Sequence, residues 1–280
     1  MLQLFLDTCD DCSAIVTKKY STSFSLGIRL FSQQFRGPIY GIYGFVRFAD
    51  EIVDTFFDFP QKTLLEEFKA DTYKAIDEGI SLNPILQSFQ KVVNQYGIEK
   101  ELIEAFFKSM ETDLYELTYE SQSYKEYIYG SAEVVGLMCM KVFCDNDQEM
   151  YEKLEAPAKS LGSAFQKINF LRDMKSDFEE RGRTYFPNIN FNAFTDHEKK
   201  LIEDDIQKDF DNAYKGIVQL PKGVRLGVYL AYKYYTCLFK KIKNLPASSI
   251  MSARVRVNDP KKMYLLLRST FVEKFNLHRI

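Results

Sequence analysis

Apolar residues recur at every third or fourth position along most of this chain, with charged residues between them, and the alternation of a half-buried strand is nearly absent. The stretches 71–79, 98–119 and 151–178 carry the pattern most plainly. An all-α protein is predicted. Within 98–110 the segment Ile-Glu-Lys-Glu-Leu-Ile-Glu-Ala-Phe-Phe-Lys-Ser-Met is amphipathic, and 115–119 is expected to continue its apolar stripe. Breaks are expected at Arg36-Gly-Pro38, Asn83-Pro84, Tyr96-Gly97, Arg181-Gly-Arg-Thr-Tyr-Phe-Pro187, Leu220-Pro-Lys-Gly223 and Asn244-Leu-Pro246. No internal repeat or low-complexity tract interrupts this reading.

Two predicted helices depart from simple amphipathicity. The first, over about 40–57, has Gly41 and Gly44 early, then Phe45, Val46 and Phe48, with Arg47 inserted before Asp50 and Asp54. The second, over about 156–179, sets Gln166, Asn169, Asp173 and Asp177 on one stripe, with Arg172 beside them. Buried polar stripes are costly unless they bind a ligand or satisfy each other across helices, and the pattern leaves both open. The spacing within Asp50/Asp54 and within Asp173/Asp177 puts each carboxylate pair one turn apart on one face. Like charges so placed repel, unless the face is simply solvated or a hard cation sits between the oxygens. Mg²⁺ characteristically takes one or two carboxylates together with substrate phosphates. Two such pairs suggest a metal site for a diphosphate, with Mn²⁺ as the alternative ion.

With 280 residues, 13 Gly and 8 Pro, one domain over 1–280 is expected. A net charge of −2 with scattered Lys and Arg offers no basic face for nucleic acid. The amino terminus lacks the basic start and apolar stretch of a signal peptide, and no apolar run of about 18 residues is read in the chain. The ending Phe-Asn-Leu-His278-Arg-Ile280 shows no anchor. The expectation is a cytoplasmic protein, with peripheral membrane contact left open. Five cysteines form an odd set that reads as reduced, and Cys9-Asp-Asp-Cys12 lacks the second ligand pair of a zinc site. His197 and His278 are the only histidines, so chemistry would run on carboxylates, cations and aromatics.

A prenyl diphosphate has an anionic head and a long apolar tail, and needs a divalent cation, fixed positive charge and a dry channel. Arg47 and Arg172 can neutralise charge as its C–O bond ionises, while ring faces stabilise the allylic cation without attacking it. Among the 24 Phe and 18 Tyr, Tyr43 is the candidate that local sequence places beside the first pair.

The motifs then resemble those of the squalene/phytoene synthases over nearly the whole chain. The segment Tyr20-Ser-Thr-Ser-Phe-Ser25 is similar to the family's amino-terminal phosphate segment, which implies roles for Ser21, Thr22 and Ser23. Tyr43-Gly-Phe-Val-Arg47-Phe-Ala-Asp50-Glu-Ile-Val-Asp54 resembles the first aspartate-rich motif. Leu161-Gly-Ser-Ala-Phe-Gln166-Lys-Ile-Asn169-Phe-Leu-Arg172-Asp173, with Asp177, Arg181-Gly-Arg and Tyr185-Phe-Pro187, resembles the second motif and its flap. Tyr129-Gly130 with Val135-Gly136, Tyr235, and Ala253-Arg254-Val-Arg-Val257 with Lys261-Lys262 complete the likeness.

The resemblance implies an isoprenoid-synthase helical bundle with a central cavity, the two Asp motifs facing across its mouth. It implies substrate binding by Ser21, Thr22, Ser23, Tyr43, Arg47, Tyr129, Gln166, Asn169, Arg172, Tyr235 and Arg254. Asp50, Asp54, Asn169, Asp173 and Asp177 are the implied metal ligands. The reaction implied is head-to-head condensation of two prenyl diphosphates through a cyclopropyl diphosphate, with geranylgeranyl diphosphate giving phytoene for carotenoid biosynthesis. A squalene or dehydrosqualene synthase acting on farnesyl diphosphate is the alternative, with NADPH required only in the squalene type. A non-catalytic assembly relative is a further one. Two departures stand out. Thr22 occupies a position where the family often has Lys, and Arg256 stands where an aromatic residue is common, which suggests that Arg256 supplies the missing charge. Phe24, Leu26 and Leu137 are candidates for setting substrate length.

Overall fold

A computed structural model describes residues 1–187, 189, 193–252 and 254–275. Ala253 of the carboxy-terminal motif and 276–280 lie outside the described residues. The helices are α1 (Leu2–Tyr20), α2 (Thr22–Arg29), α3 (Gln33–Asp54), α4 (Gln61–Glu78), α5 (Pro84–Tyr96), α6 (Lys100–Asp113), α7 (Ser121–Ile128), α8 (Val134–Cys144), α9 (Gln148–Arg181), α10 (Asp196–Ile217), α11 (Lys222–Lys243), α12 (Ala247–Ile250) and α13 (Asp259–Lys274). A π-helical turn, Tyr129–Glu133, joins α7 to α8. The only strand-like pairing among the described residues is the bridge between Thr118 and Thr184. The predicted all-α class holds, and the described helices pack into a bundle.

Helix α3 forms because Ile39, Ile42, Phe45, Ala49, Ile52 and Val53 recur at three and four spacing and all bury. Phe45 has no exposed surface and stacks on Phe89 of α5 with ring centroids 3.8 Å apart. Such burial contributes about 1.5–3 kcal/mol per large side chain. Helix α9 divides its faces in the same way. Ala164, Ile168 and Leu171 are fully buried, while Gln166, Asn169, Asp173 and Asp177 stand on the opposite side. Around these two helices, α1 and α5 pack on α3, α8 and α10 pack on α9, and α11 packs between α2 and α13.

The expected breaks at Asn83-Pro84, Tyr96-Gly97 and Arg181-Gly182 occur. Asn83 caps α5 through hydrogen bonds from the N–H groups of Ile85 and Leu86, and Gly97 and Gly182 adopt the left-handed conformation that ends α5 and α9. Two expectations are corrected. Helix α3 continues through Pro38, which lies close enough to the amino end to forfeit little of the hydrogen-bond ladder. Helix α9 runs through Pro157 as the period over 151–178 implied, and the proline ring fills the space that a side chain at Gly216 would need, with a Cβ there only 2.3 Å away. The stripe read through 115–119 instead stops at Asp113, because Arg183 bonds the Asp113 carbonyl and the chain turns to meet Thr184, whose N–H donates to Leu117 O at 2.8 Å.

One rod is apolar without holding an unbroken apolar run. The continuous rod of α7, the π turn and α8 contains an 18-residue window of mean hydropathy 1.3, long and apolar enough to cross a membrane. Of that window 56% is buried inside the protein, where the rod packs between α6 and α9. Glycine makes that packing possible. A Cβ on Gly130 would stand 2.4 Å from Ala105 O and 2.8 Å from Ser109 Cβ, and one on Gly162 would stand 2.7 Å from Ala132 O. Backbone contacts of this kind cannot be relieved by a rotamer change. Gly130→Ala is therefore expected to cost about 1–3 kcal/mol, read as a fall of several degrees in thermal midpoint. Gly37→Ala, with nothing within 4 Å of the added atom, is the matched control and should leave the midpoint nearly unchanged.

Candidate active site

The polar faces of α3 and α9 meet at a cavity of about 730 Å³. Asp50 and Asp54 reach it from the last turn and a half of α3, and Asp173 and Asp177 from the carboxy-terminal third of α9. Arg47, Gln166, Asn169, Arg172, Arg254 and Arg256 line it too. Gln166 donates to Ser131 Oγ at 3.3 Å, and Tyr235 Oη donates to Asn169 Oδ1 at 3.3 Å, so these polar groups are oriented rather than loose.

The cations are already engaged. Arg172 donates through Nε to Asp173 Oδ1 at 2.9 Å and pairs with its other oxygen. Burial works against the Arg172 charge, but the bond to Asp173 outweighs it and holds the guanidinium firmly protonated. Arg254 approaches the same carboxylate at 2.7 Å from the carboxy-terminal segment. Arg47 pairs with Glu51, stands 4.0 Å from Asp50 and lies over the Tyr20 ring at 4.4 Å. Its Nε is buried without a partner. Asp50 is less well compensated. Burial, then the neighbouring Asp54, push its carboxyl up to about 7, with Asp113 and Glu51 adding to a shift that Arg47 only partly opposes.

Sequence reasoning missed a second ion-pair centre. Asp113 and Arg183 are 5% and 6% exposed, with Nη1 3.3 Å from Asp113 Oδ1 and 3.4 Å from Asp54 Oδ1. Tyr127 Oη donates to Asp113 at 2.9 Å. Burial opposes the Arg183 charge too, yet Asp113, Tyr185 and Asp54 raise its pKa overall. The reversal at Gly182 creates this geometry, since it turns the chain after α9 back over the cavity. The available signal was an acid at position 113 interrupting the apolar progression Ile103, Phe106, Met110 on α6.

Other expected residues fall elsewhere. Ser21, the amino cap of α2, accepts from the Phe24 N–H at 3.2 Å, and Thr22 and Ser23 follow it, none of them on the cavity wall. Tyr43 and Tyr235 stand behind the wall with Phe24 and Phe165. The Phe24 ring lies 6.2 Å from Tyr43 and 6.3 Å from Tyr235, and Phe165 stacks on Tyr235 at 3.9 Å. Burial is the main cause that takes the Tyr43 hydroxyl up to about 12. Tyr129 does not reach the cavity. Tyr127 and Ser131, one turn apart, face it, which turns Tyr129 away to lie under Lys159 Nζ at 5.7 Å. Leu137 is buried in the amino-terminal core cluster, while Phe24 belongs to the aromatic group behind the cavity.

Among the described residues, the lining has oxygen donors and no His or Cys, and no three acidic side chains close on a common point. Hard, open donor sets of this kind suit a magnesium ion completed by phosphate oxygens, and the uncompensated Asp50 is what such an ion would neutralise.

The sequence profile described as squalene/phytoene synthase matches residues 17–261. "Phytoene synthase 2, chloroplastic" of Solanum lycopersicum is 25% identical over 95% of this chain and 90% of its own length. "4,4'-diapophytoene synthase" of Staphylococcus haemolyticus is 26% identical over 69% of this chain and 66% of its own length. A solved structure of a dehydrosqualene synthase in complex with ligand superposes with a TM-score of 0.81 at 18% identity, covering 96% of this chain and 98% of that one.

Two predictions follow from the charges. The protonated Asp50 carboxyl contributes stability that is complete below about pH 4 and lost as pH rises through about 7. In EDTA, Asp50→Asn should therefore gain about 1–2 kcal/mol over wild type at pH 8 and little at pH 5, measured by urea unfolding; solvent in the cavity keeps the figure small. Arg183→Met should cost about 3–5 kcal/mol by stranding Asp113, and Asp113→Asn added to it should recover part of that loss in a double-mutant cycle.

Proposed function

The chain belongs to the squalene/phytoene synthase family of head-to-head prenyl diphosphate synthases, and on that premise we propose that it condenses two molecules of geranylgeranyl diphosphate to phytoene in a Mg²⁺-dependent reaction. The observation that carries the reading is the single cavity onto which α3 and α9 project Asp50, Asp54, Asp173 and Asp177 beside fixed guanidiniums. Phytoene synthases among the relatives support the product. A farnesyl diphosphate substrate is the second reading, favoured by the diapophytoene synthase relative. NADPH belongs only to a squalene-type ending. A cytoplasmic location is part of the proposal, although the plant relatives are named chloroplastic.

Asp50, Asp54, Asp173, Asp177 and Asn169 would hold Mg²⁺, which when bound supplies positive charge to the diphosphate. The chain's own groups then exchange partners. Arg172 and Arg254, paired with Asp173 in the structure, are placed to turn to the diphosphate oxygens. Arg47 stands ready on the opposite wall, its Nε lacking a protein acceptor. As the C–O bond of the first substrate breaks, these guanidiniums stabilise the departing diphosphate. The double bond of the second substrate attacks the allylic cation, and loss of a proton gives the cyclopropyl diphosphate. That product ionises in turn and rearranges, and the phytoene-type ending loses a further proton. Tyr127, Phe170 and Tyr185 on the wall, with Tyr43, Phe24, Phe165 and Tyr235 behind it, keep water from the cations and offer ring faces to them.

Chromatography of products from geranylgeranyl and farnesyl diphosphate, each with and without NADPH, separates the readings. Phytoene from the longer substrate without NADPH is expected, and squalene formed only with NADPH would replace the proposal. Asp50→Ala and Asp173→Ala are each expected to abolish turnover with unchanged helicity. Arg172→Ala should lower kcat about 10²–10³-fold, whereas an unchanged kcat would make Arg172 a purely structural group.

A further inference from the structure

Helix α13 carries an apolar face that no other described part of the chain covers. Met263, Tyr264, Leu267, Phe271 and Phe275 are between 49% and 66% exposed. The recurrence at 263, 267, 271 and 275 keeps them on one side, while Leu265 and Ser269 bury on the other. The helix lies antiparallel along α11, with Lys262 Nζ over the Tyr234 ring at 6.0 Å and Arg225 Nε bonded to Glu273 at 3.1 Å. Its apolar face therefore points away from the bundle. Five large side chains in succession exceed the single exposed apolar residues that any surface carries.

The charged side chains described beside this face are mainly cationic, Glu273 being paired with Arg225 on the side toward α11. Lys261 and Lys274 lie over the Tyr264 and Phe275 rings at 4.7 and 6.0 Å, and exposed Arg268 stands on the same border. The neighbouring α11 has Lys222, Arg225, Lys233, Lys240, Lys241 and Lys243 and not one Asp or Glu. In a chain of net charge −2 this basic region is local. Apolar side chains bordered by cations match the boundary between the acyl and headgroup layers of an anionic bilayer. A second copy matches poorly, because facing copies would bring Lys261, Arg268 and Lys274 against their own kind. The family profile ends at residue 261, so the face is made by residues beyond the matched region.

We propose that α13 docks the protein on an anionic lipid surface, with Met263, Leu267, Phe271 and Phe275 entering the acyl boundary and the flanking cations meeting headgroups. The surface stands apart from the cavity and requires nothing of the reaction. Flotation of the full chain with vesicles of phosphatidylcholine alone, and with about one third phosphatidylglycerol, tests it. Wild type should float with the anionic vesicles, less so in high salt, and scarcely with the neutral ones. Leu267→Ser with Phe271→Ser should weaken partitioning more than about tenfold, and Arg268→Gln with Lys274→Gln about twenty-five-fold, at roughly fivefold per charge. Leu201→Ser, at an exposed leucine on α10, should match wild type. Circular dichroism and turnover in detergent should stay unchanged in all variants. Equal flotation of wild type and the Leu267/Phe271 variant, or equal binding to neutral vesicles, would overturn the proposal. So would a dimer in sedimentation velocity that the same variant dissolves.

Discussion

Carboxylates and guanidiniums gathered around one cavity cannot all satisfy each other, and that imbalance organises the protein. Arg183 settles Asp113 and Asp54, and Arg172 and Arg254 settle Asp173. Asp50 is left partly uncompensated, its carboxyl raised to about 7 chiefly by burial. Holding like charges this close is unfavourable for the isolated chain, so the cost must be offset by the packing of α3 and α9, and under the proposed function an entering cation and anionic ligand would recover it. Stability and binding thus draw on the same groups.

The supporting structure is correspondingly rigid where charge converges. Phe45 stacked on Phe89 fixes the rear of α3, and Ala164, Ile168 and Leu171 fix the rear of α9. Gly130 and Gly162 let the π turn sit against α6 and α9 at backbone distance, which aims Tyr127 and Ser131 at the cavity. The reversal at Gly182 then lays Arg183 and Tyr185 over the opening, where Tyr185 stacks on Phe170 at 3.9 Å. A short, buried segment built this way positions charge at the cavity.

Much of this was legible from period and spacing. The i, i+4 pairs and the stripe through Gln166, Asn169, Asp173 and Asp177 identified both acidic helices and the faces that meet, and the Gly and Asn punctuation marked several ends. One proline misled. Pro38 is accommodated inside α3 near its amino end, whereas Pro157 sits inside α9 as the period implied, where Gly216 leaves room for its ring. Arg183 was read within Arg181-Gly-Arg, but its pairing with Asp113 escaped notice because it spans 70 residues and depends on a reversal after α9. Tyr127 and Ser131, and not the expected Tyr129, stand on the cavity wall. Likewise the apolarity of 121–144 is shared among neighbouring residues and neighbouring helices, and no single run of letters displays it.

The central claim is that the carboxylates of α3 and α9 hold divalent cations on a shared diphosphate while the guanidiniums change partners. The most direct measurement is anomalous diffraction from crystals soaked with Mn²⁺ and a non-hydrolysable prenyl thiodiphosphate. The account predicts metal peaks between the Asp50/Asp54 and Asp173/Asp177 pairs, with Arg172 moved from Asp173 to the thiodiphosphate. Metal peaks elsewhere, or a thiodiphosphate bound with Asp173 still held by Arg172 and Arg254, would contradict it.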